Sequence, residues 1–262
     1  MMLPTVAMAD WRMTLAFLLL LILLVLLLKL AGAARKLPPA GERMFFWICP
    51  LPAAESFARA TKGGKDAFVA TLGRFAMAAV GFLAAHWLLW RAGRMLGASG
   101  IQLSYLAAPL VWLGTAGIAS LVQLICLPMG RLLPAAHDNI FASRGVAEFW
   151  GRRWDVWMSD WFRQMIFRPM RRRPTLAVVV VFLISGVVDE FVINLGLWLV
   201  TGRNLFGSMM AYFGLQAAGL FVERAWLDEY PRLKRVWTWI VVIGPAPLFV
   251  NEGMLRALQF WP

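Results

Sequence analysis

Charge is scarce in this sequence, and negative charge most of all. Its 262 residues hold 14 Asp and Glu against 26 Lys and Arg, and charged residues make up 15% of the chain. Soluble domains carry about a quarter. Cysteine is nearly absent: Cys49 and Cys126 form no CxxC or metal-ligand spacing, which excludes a disulfide scaffold and leaves small buried residues as their reading. No P-loop, GxSxG, HExxH or dinucleotide glycine pattern occurs, and the acidic residues form no aspartate run suited to clamping a diphosphate through magnesium. No pattern calls for a metal or a tightly bound cofactor. A net charge of +12 raises the question of nucleic acid, but the basic residues flank apolar stretches and form no continuous face, which argues against that partner.

Apolar surface is what the chain has in excess: 61% of residues are hydrophobic and the mean hydropathy is +0.68. A water-soluble globule of this size cannot hide so much. Apolar stretches recur near the roughly 20 residues that a bilayer-crossing helix needs. The expectation is an all-α, polytopic integral membrane protein, a single membrane domain over residues 1–262, in contact with the lipid bilayer. About six spans are predicted, over Met13–Leu28, Phe75–Trp90, Leu103–Leu127, Thr175–Val200, Leu205–Val222 and Val236–Val250, the last interrupted by Pro245 and Pro247. The second and sixth are short for a hydrocarbon core about 30 Å thick. Segments after the first, third and fifth spans hold 21 of the 26 basic residues, which places those segments in the cytoplasm and both termini outside. Lys29, Arg35 and Lys36 follow the first apolar run and oppose its export and cleavage at Ala31-Gly32-Ala33. An apolar patch over Met44–Pro52 is too short to cross and reads as interfacial or re-entrant.

The stretch over residues 141–170 is rich in tryptophan. Trp150, Trp154, Trp157 and Trp161 fall at i, i+4, i+7 and i+11, one face of a helix, while Arg152, Arg153, Asp155, Ser159, Asp160 and Arg163 occupy the other faces. Indoles suit the headgroup boundary, so a cytoplasmic interfacial amphipathic helix is expected, anchored by Arg171, Arg172 and Arg173. It is either an anchor alone or the mouth of a cavity, where Arg152, Arg153 and Arg163 would meet phosphates.

The fourth span carries Asp189 and Glu190 close to the midpoint between Arg173 and Arg203. An ionised carboxylate at bilayer centre costs roughly 2.5–3.5 kcal/mol on insertion scales. Ser185 stands one turn before Asp189 and Asn194 one turn after Glu190, giving each acid a polar neighbour on its own face. Low dielectric favours the neutral acid, so at least one holds its proton, and a cavity-facing carboxyl of that kind is a candidate general acid or base. The alternative is a buried polar knot that fixes helix packing, with Gln216, Gln123 or an arginine as partner. His86 reads as interfacial and His137 as a loop residue. Gly114 with Gly117, and Gly207 with Ala211, Gly214 and Ala218, read as close helix packing.

Two of these segments, in this order, resemble the wax synthase-like branch of the membrane-bound O-acyltransferases. That branch has an FWGRRW stretch, here Phe149-Trp150-Gly151-Arg152-Arg153-Trp154, ahead of a helix with Ser-Gly-x-x-His-Glu, here Ser185-Gly186-Val187-Val188-Asp189-Glu190. A later Gln and Glu-Arg pair resembles Gln216 and Glu223-Arg224, so the likeness covers about residues 140–225. It implies an enzyme that moves a fatty acyl group from acyl-CoA, its co-substrate, to a lipophilic hydroxyl, with the histidine as base and a polar residue after the RRW, commonly asparagine, assisting. Asp189 stands at the histidine position and Asp155 after Trp154. Asp189, Glu190 and Asp155 are therefore the expected catalytic group, with Trp150, Arg152, Arg153, Trp154, Trp157, Ser185, Asn194 and Gln216 lining the substrate. A neutral carboxyl can donate a proton but not accept one. The same residues therefore admit a protonation-initiated terpene or meroterpenoid cyclase with Asp189 as general acid and tryptophan faces stabilising the cation, or a lipid-binding or transport protein with the acids as a proton relay.

Overall fold

The computed structural model describes residues 11–35, 37–38, 40–49, 61–62 and 64–261. It is all-α apart from one two-residue antiparallel pairing, Thr61–Lys62 with Arg131–Leu132. The principal helices are α1 (Trp11–Arg35), α2 (Lys65–Met95), α3 (Gly100–Cys126), α4 (Val156–Phe162), α5 (Pro174–Asp189), α6 (Leu195–Thr201), α7 (Ser208–Trp226), α8 (Pro231–Ile243) and α9 (Glu252–Ala257). A π-turn over Glu190–Asn194 joins α5 to α6, so residues 174–201 form one helical rod. That rod, α1, α2 and α3 (with its one-turn extension to Met129) are each long and apolar enough to cross a bilayer. Leucine and other large apolar side chains lie open along α1 and α2, as a lipid-facing surface requires. α2 has 31 residues, about 46 Å at 1.5 Å per residue, so the expected shortness of the second span is not found: helix continues through the charged residues that bounded the apolar run.

α2 and α3 pack side by side, α5 and α7 form a second pair, and α8 lies on α7, while α1 rests on α6 and α9. Lys29 was expected in a basic flank; instead it is fully buried, and its ammonium donates to the carbonyls of Phe46 and Cys49. It thus satisfies carbonyls at the end of the short helix Arg43–Ile48 that no further turn would reach. This helix covers most of the apolar patch expected to be interfacial, and residues 50–52 of that patch lie outside the described residues.

Proline decides how α8 ends. In a continuing helix the Val241 carbonyl would accept from the N–H of residue 245, which is Pro245 and has none. The carbonyl accepts from Gln216 Nε2 of α7 instead, at 2.7 Å, and the Val242 carbonyl accepts from the Tyr212 hydroxyl at 3.0 Å. The interruption expected at Pro245 and Pro247 is present, and it supplies the acceptors that tie α8 to α7.

The glycines expected to allow close packing divide. Gly114 and Gly117 face α2 at ordinary distances, Gly207 has φ +99° and marks the turn into α7, and Gly214 has nothing near it. Tight contacts lie at other glycines, Gly186 and Gly219 among them. A Cβ at Gly186 would sit 3.1 Å from the Met210 backbone, and one at Gly219 would sit 2.5 Å from Val241 Cγ1. Gly186→Ala should destabilise the folded protein by about 1–3 kcal/mol through forced separation of α5 and α7, and Gly214→Ala should be neutral or slightly stabilising. Thermal unfolding in detergent checks the pair; equal melting temperatures would contradict this packing.

Candidate functional site

Two motifs meet where α5, α7 and the tryptophan-rich segment converge. The single helix expected through that segment is broken. Residues 146–148 form one helical turn, Phe149–Arg153 a π-turn, Trp154 is extended, and Asp155 has φ 40° before α4 begins. A left-handed residue cannot continue a right-handed helix, and aspartate tolerates that conformation better than most. Its Oδ1 then accepts the Met158 N–H at 3.2 Å and caps α4. Three π-turns, over 149–153, 163–167 and 190–194, surround this region, and such widened turns are frequent at functional sites.

Breaking the helix turns the tryptophans inward. Trp157 and Trp161 are buried, their indole N–H groups donating to the carbonyls of Pro134 and Leu28. Trp150 donates to Gln216 Oε1 and packs against Phe182, Tyr212 and Phe213. These rings with Phe249 make an aromatic wall beside α7. The expected surface stripe is therefore packed into the protein, with Trp157 and Trp161 buried and Trp150 and Trp154 partly so.

The adjacent acids of the fourth span take different surroundings. Glu190 is buried and fully engaged: Oε2 accepts from Asn194 Nδ2 at 2.6 Å, and Oε1 from the N–H groups of Gly207, Met209 and Met210. Those are the free donors at the start of α7, so Glu190 is its cap. Asn194, Ser208 and Asn251 extend the network, with Asn251 Nδ2 donating to Asn194 Oδ1 at 2.8 Å and Asn194 Nδ2 reaching the Leu205 carbonyl. A buried polar knot exists, but Glu190 and Asn194 form it with Ser208 and Asn251 and not, among the described residues, with the expected Gln216, Gln123 or arginine. Asp189 stands outside it. Among the described residues no hydrogen bond or ion pair reaches its carboxyl, part of its surface stays accessible, and its electrostatic neighbours are Asp155, Glu190 and Tyr212. Ser185 makes no hydrogen bond to Asp189 among the described residues.

The two arginines of the motif also part company. Arg153 Nε and Nη2 both bond Glu148 Oε1, at 2.8 and 2.6 Å, and Nη1 donates to the carbonyls of Asp138 and Asn139. Burial pushes the Glu148 carboxyl up, but the Arg144 N–H and Arg153 outweigh it and hold it below the usual carboxylate range. With its donors committed, Arg153 staples a loop; Arg152 is exposed. Two residues that the sequence named without a role at the site take part in it. Glu223 is buried and accepts the Val146 N–H at 2.6 Å, fixing the start of the tryptophan segment. His137, assigned to a loop, has its ring 4.8 Å from that of Trp154.

Residues 133–196 match the Membrane bound O-acyl transferase family, an interval holding both FWGRRW and the Asp189-Glu190 pair. The resemblance is borne out. A probable long-chain-alcohol O-fatty-acyltransferase 9 of Arabidopsis thaliana is 24% identical over 163 residues, covering 53% of this chain and 47% of that protein. The chain thus spans about half the length of this curated relative. Together with the apolar helices, the match supports an integral membrane protein. Within that interval Asp155 caps α4, and the Asp189 carboxyl has no hydrogen bond or ion pair among the described residues.

Asp155 lies outside the spans, and burial raises its carboxyl to about 6. A carboxyl raised on folding opposes stability increasingly as pH climbs from about 4 to about 6, and fully above that. Asn can cap and adopt φ 40° without a charge, so Asp155→Asn should gain stability relative to the parent between pH 4 and pH 7. Asp155→Ala should lose about 1–2 kcal/mol at pH 5 from the missing cap and the left-handed backbone. Melting curves across that range test both; a pH-independent difference between parent and Asn variant would refute the raised carboxyl.

Proposed function

We propose that the protein transfers a fatty acyl group from acyl-CoA to the hydroxyl of a lipophilic alcohol, with Asp189 and Asp155 as the reacting carboxyls. The carrying observation is the contrast at the centre of the matched interval: Glu190 is consumed by structure, whereas Asp189 has no hydrogen bond or ion pair among the described residues, keeps part of its surface accessible and has Asp155 as an electrostatic neighbour. In this scheme one of the two carboxyls carries a proton and the other is ionised. The ionised member takes the alcohol proton as the oxygen attacks the thioester carbonyl. The protonated member serves the leaving thiolate, so the alkoxy–carbonyl bond forms, the carbon–sulfur bond breaks, and free coenzyme A thiol departs.

The aromatic wall of Trp150, Phe182, Tyr212 and Phe213 suits an aliphatic chain, and exposed Arg152 lies where an anionic carrier would approach. Placing the basic segments in the cytoplasm, as the charge distribution suggests, sets Arg152 on the side where acyl-CoA is found. The long-chain-alcohol name of the Arabidopsis relative supports a long-chain alcohol as acceptor here.

Membranes carrying the protein should release thiol from long-chain acyl-CoA when a long-chain alcohol is added. Asp189→Asn should lower the rate about 10²-fold or more, the usual scale for a proton-transfer group, and Asp189→His should retain or raise it, since imidazole accepts a proton readily near neutral pH. Absence of thiol release from the parent, with conversion of a linear polyprenyl compound to an isomer of equal mass, would overturn acyl transfer in favour of cyclisation.

A further inference from the structure

His137 is the group near the site whose arrangement neither the motif nor the reaction explains. It sits in the loop after α3, and both of its ring nitrogens have partners. Nδ1 lies 3.4 Å from the Asp155 backbone nitrogen and Nε2 lies 3.0 Å from Thr115 Oγ1 on α3. A backbone N–H can only donate, so Nδ1 must be the unprotonated nitrogen and Nε2 carries the hydrogen. The Thr115 hydroxyl receives that hydrogen and passes its own to the Val111 or Trp112 carbonyl, at 2.9 and 3.0 Å. Every donor in this chain finds an acceptor in one tautomer only.

The loop is held against the motif on both sides of the ring. Asp138 N–H donates to the Arg153 carbonyl and Val156 N–H to the Ala136 carbonyl, at 2.9 and 2.8 Å, so residues 136–138 run along residues 153–156 as a short clamp. Arg153 reinforces it through the carbonyls of Asp138 and Asn139. The ring of Trp154 covers the imidazole. The charged groups near the ring are Asp155 on the motif, and Asp138 with Arg153 beside the loop; α3 presents the neutral Thr115. Burial lowers the imidazole to about 4, which keeps it neutral and able to accept through Nδ1 across the physiological range.

We infer that His137 is a positioning residue: locked as the Nε2–H tautomer by Thr115, it accepts the Asp155 N–H and fixes the left-handed turn that orients the Asp155 carboxyl. The inference rests on the proposed acyl transfer for its catalytic meaning, but its geometry can be read without any turnover. The left-handed Asp155 is the hinge between the π-turn and α4, and its N–H has no helical acceptor. Rotation of the imidazole, or a change of tautomer, would turn a donor toward that N–H and release the turn. Thr115, on a different helix, thereby controls the orientation of a carboxyl that it does not touch.

The test uses the full chain in detergent, labelled with nitrogen-15 in imidazole. The sequence has two histidines, His86 and His137, so His137→Asn assigns the spectrum by subtraction. The parent should show His137 neutral at pH 6.5 with Nδ1 unprotonated, and Thr115→Val, which removes the acceptor for Nε2–H, should populate the other tautomer. A protonated Nδ1 in the parent, or an unchanged tautomer in Thr115→Val, overturns the inference whatever the activity. For turnover, Asn can place Oδ1 where Nδ1 stands, whereas Gln can reach Thr115 but leaves the Asp155 N–H unpartnered. Thiol release should survive in His137→Asn within about threefold and fall at least tenfold in kcat, with KM unchanged, in His137→Gln and Thr115→Val. Equal kcat in His137→Gln and the parent would overturn the positioning role. Loss of thiol release in the parent itself, with the nitrogen-15 result intact, would strike the acyl-transfer reading and leave the tautomer lock standing.

Discussion

The arrangement depends on one requirement: α7 starts in apolar surroundings, and its first N–H groups have no helical acceptor. Glu190 lies 16 residues after Pro174, about 24 Å along the rod at 1.5 Å per residue, and α7 begins at its side. The end of the returning loop 202–207 and the first turn of α7 therefore present bare backbone polar groups to the side of the rod. Irregular backbone survives in such a place only where protein side chains satisfy it. Glu190, Asn194 and Asn251 do so, and the π-turn that carries Glu190 and Asn194 is the widened stretch from which they reach the loop.

The capping of α7 engages Glu190 and leaves Asp189 out of that network. Neighbouring positions on a helix point about 100° apart, so with Glu190 facing α7 and the loop, Asp189 faces the tryptophan segment and Tyr212 instead. A second break, at the left-handed Asp155, sets where the other acid lies. Both acids depend on departures from regular helix, a π-turn in one case and a left-handed residue in the other. The hydrogen bonds that stabilise those departures come from elsewhere in the chain: the loop 136–138, Arg153 with Glu148, and α3 through His137. Because Pro245 leaves the Val241 carbonyl unclaimed, Gln216 holds α8 while accepting from Trp150, and the aromatic wall is fixed from behind.

Much of this was legible beforehand. Length and apolar content called for membrane-crossing helices, the FWGRRW and SGVVDE stretches marked the matched interval, and the spacing of Glu190 and Asn194 foretold their hydrogen bond. The tryptophan spacing misled because i, i+4, i+7, i+11 assumes an unbroken helix, and Asp155 at φ 40° breaks it. Gly186 and Gly219 escaped notice because close approach depends on which helix lies opposite, and no periodicity in one strip of sequence reports that. Lys29 looked like a solvated flank because its partners, the carbonyls of Phe46 and Cys49, belong to a helix that folds back over it.

By itself the sequence determined the solvent this chain folds in, the approximate lengths of its apolar helices and the two carboxyls set in unfavourable surroundings, since these follow from composition and local order. Tertiary structure decided which carboxyl became a cap and which stayed open. The cost of a buried acid can be met by any donor that reaches it, and the Gly207, Met209 and Met210 N–H groups that reach Glu190 come from a helix start brought alongside by packing alone.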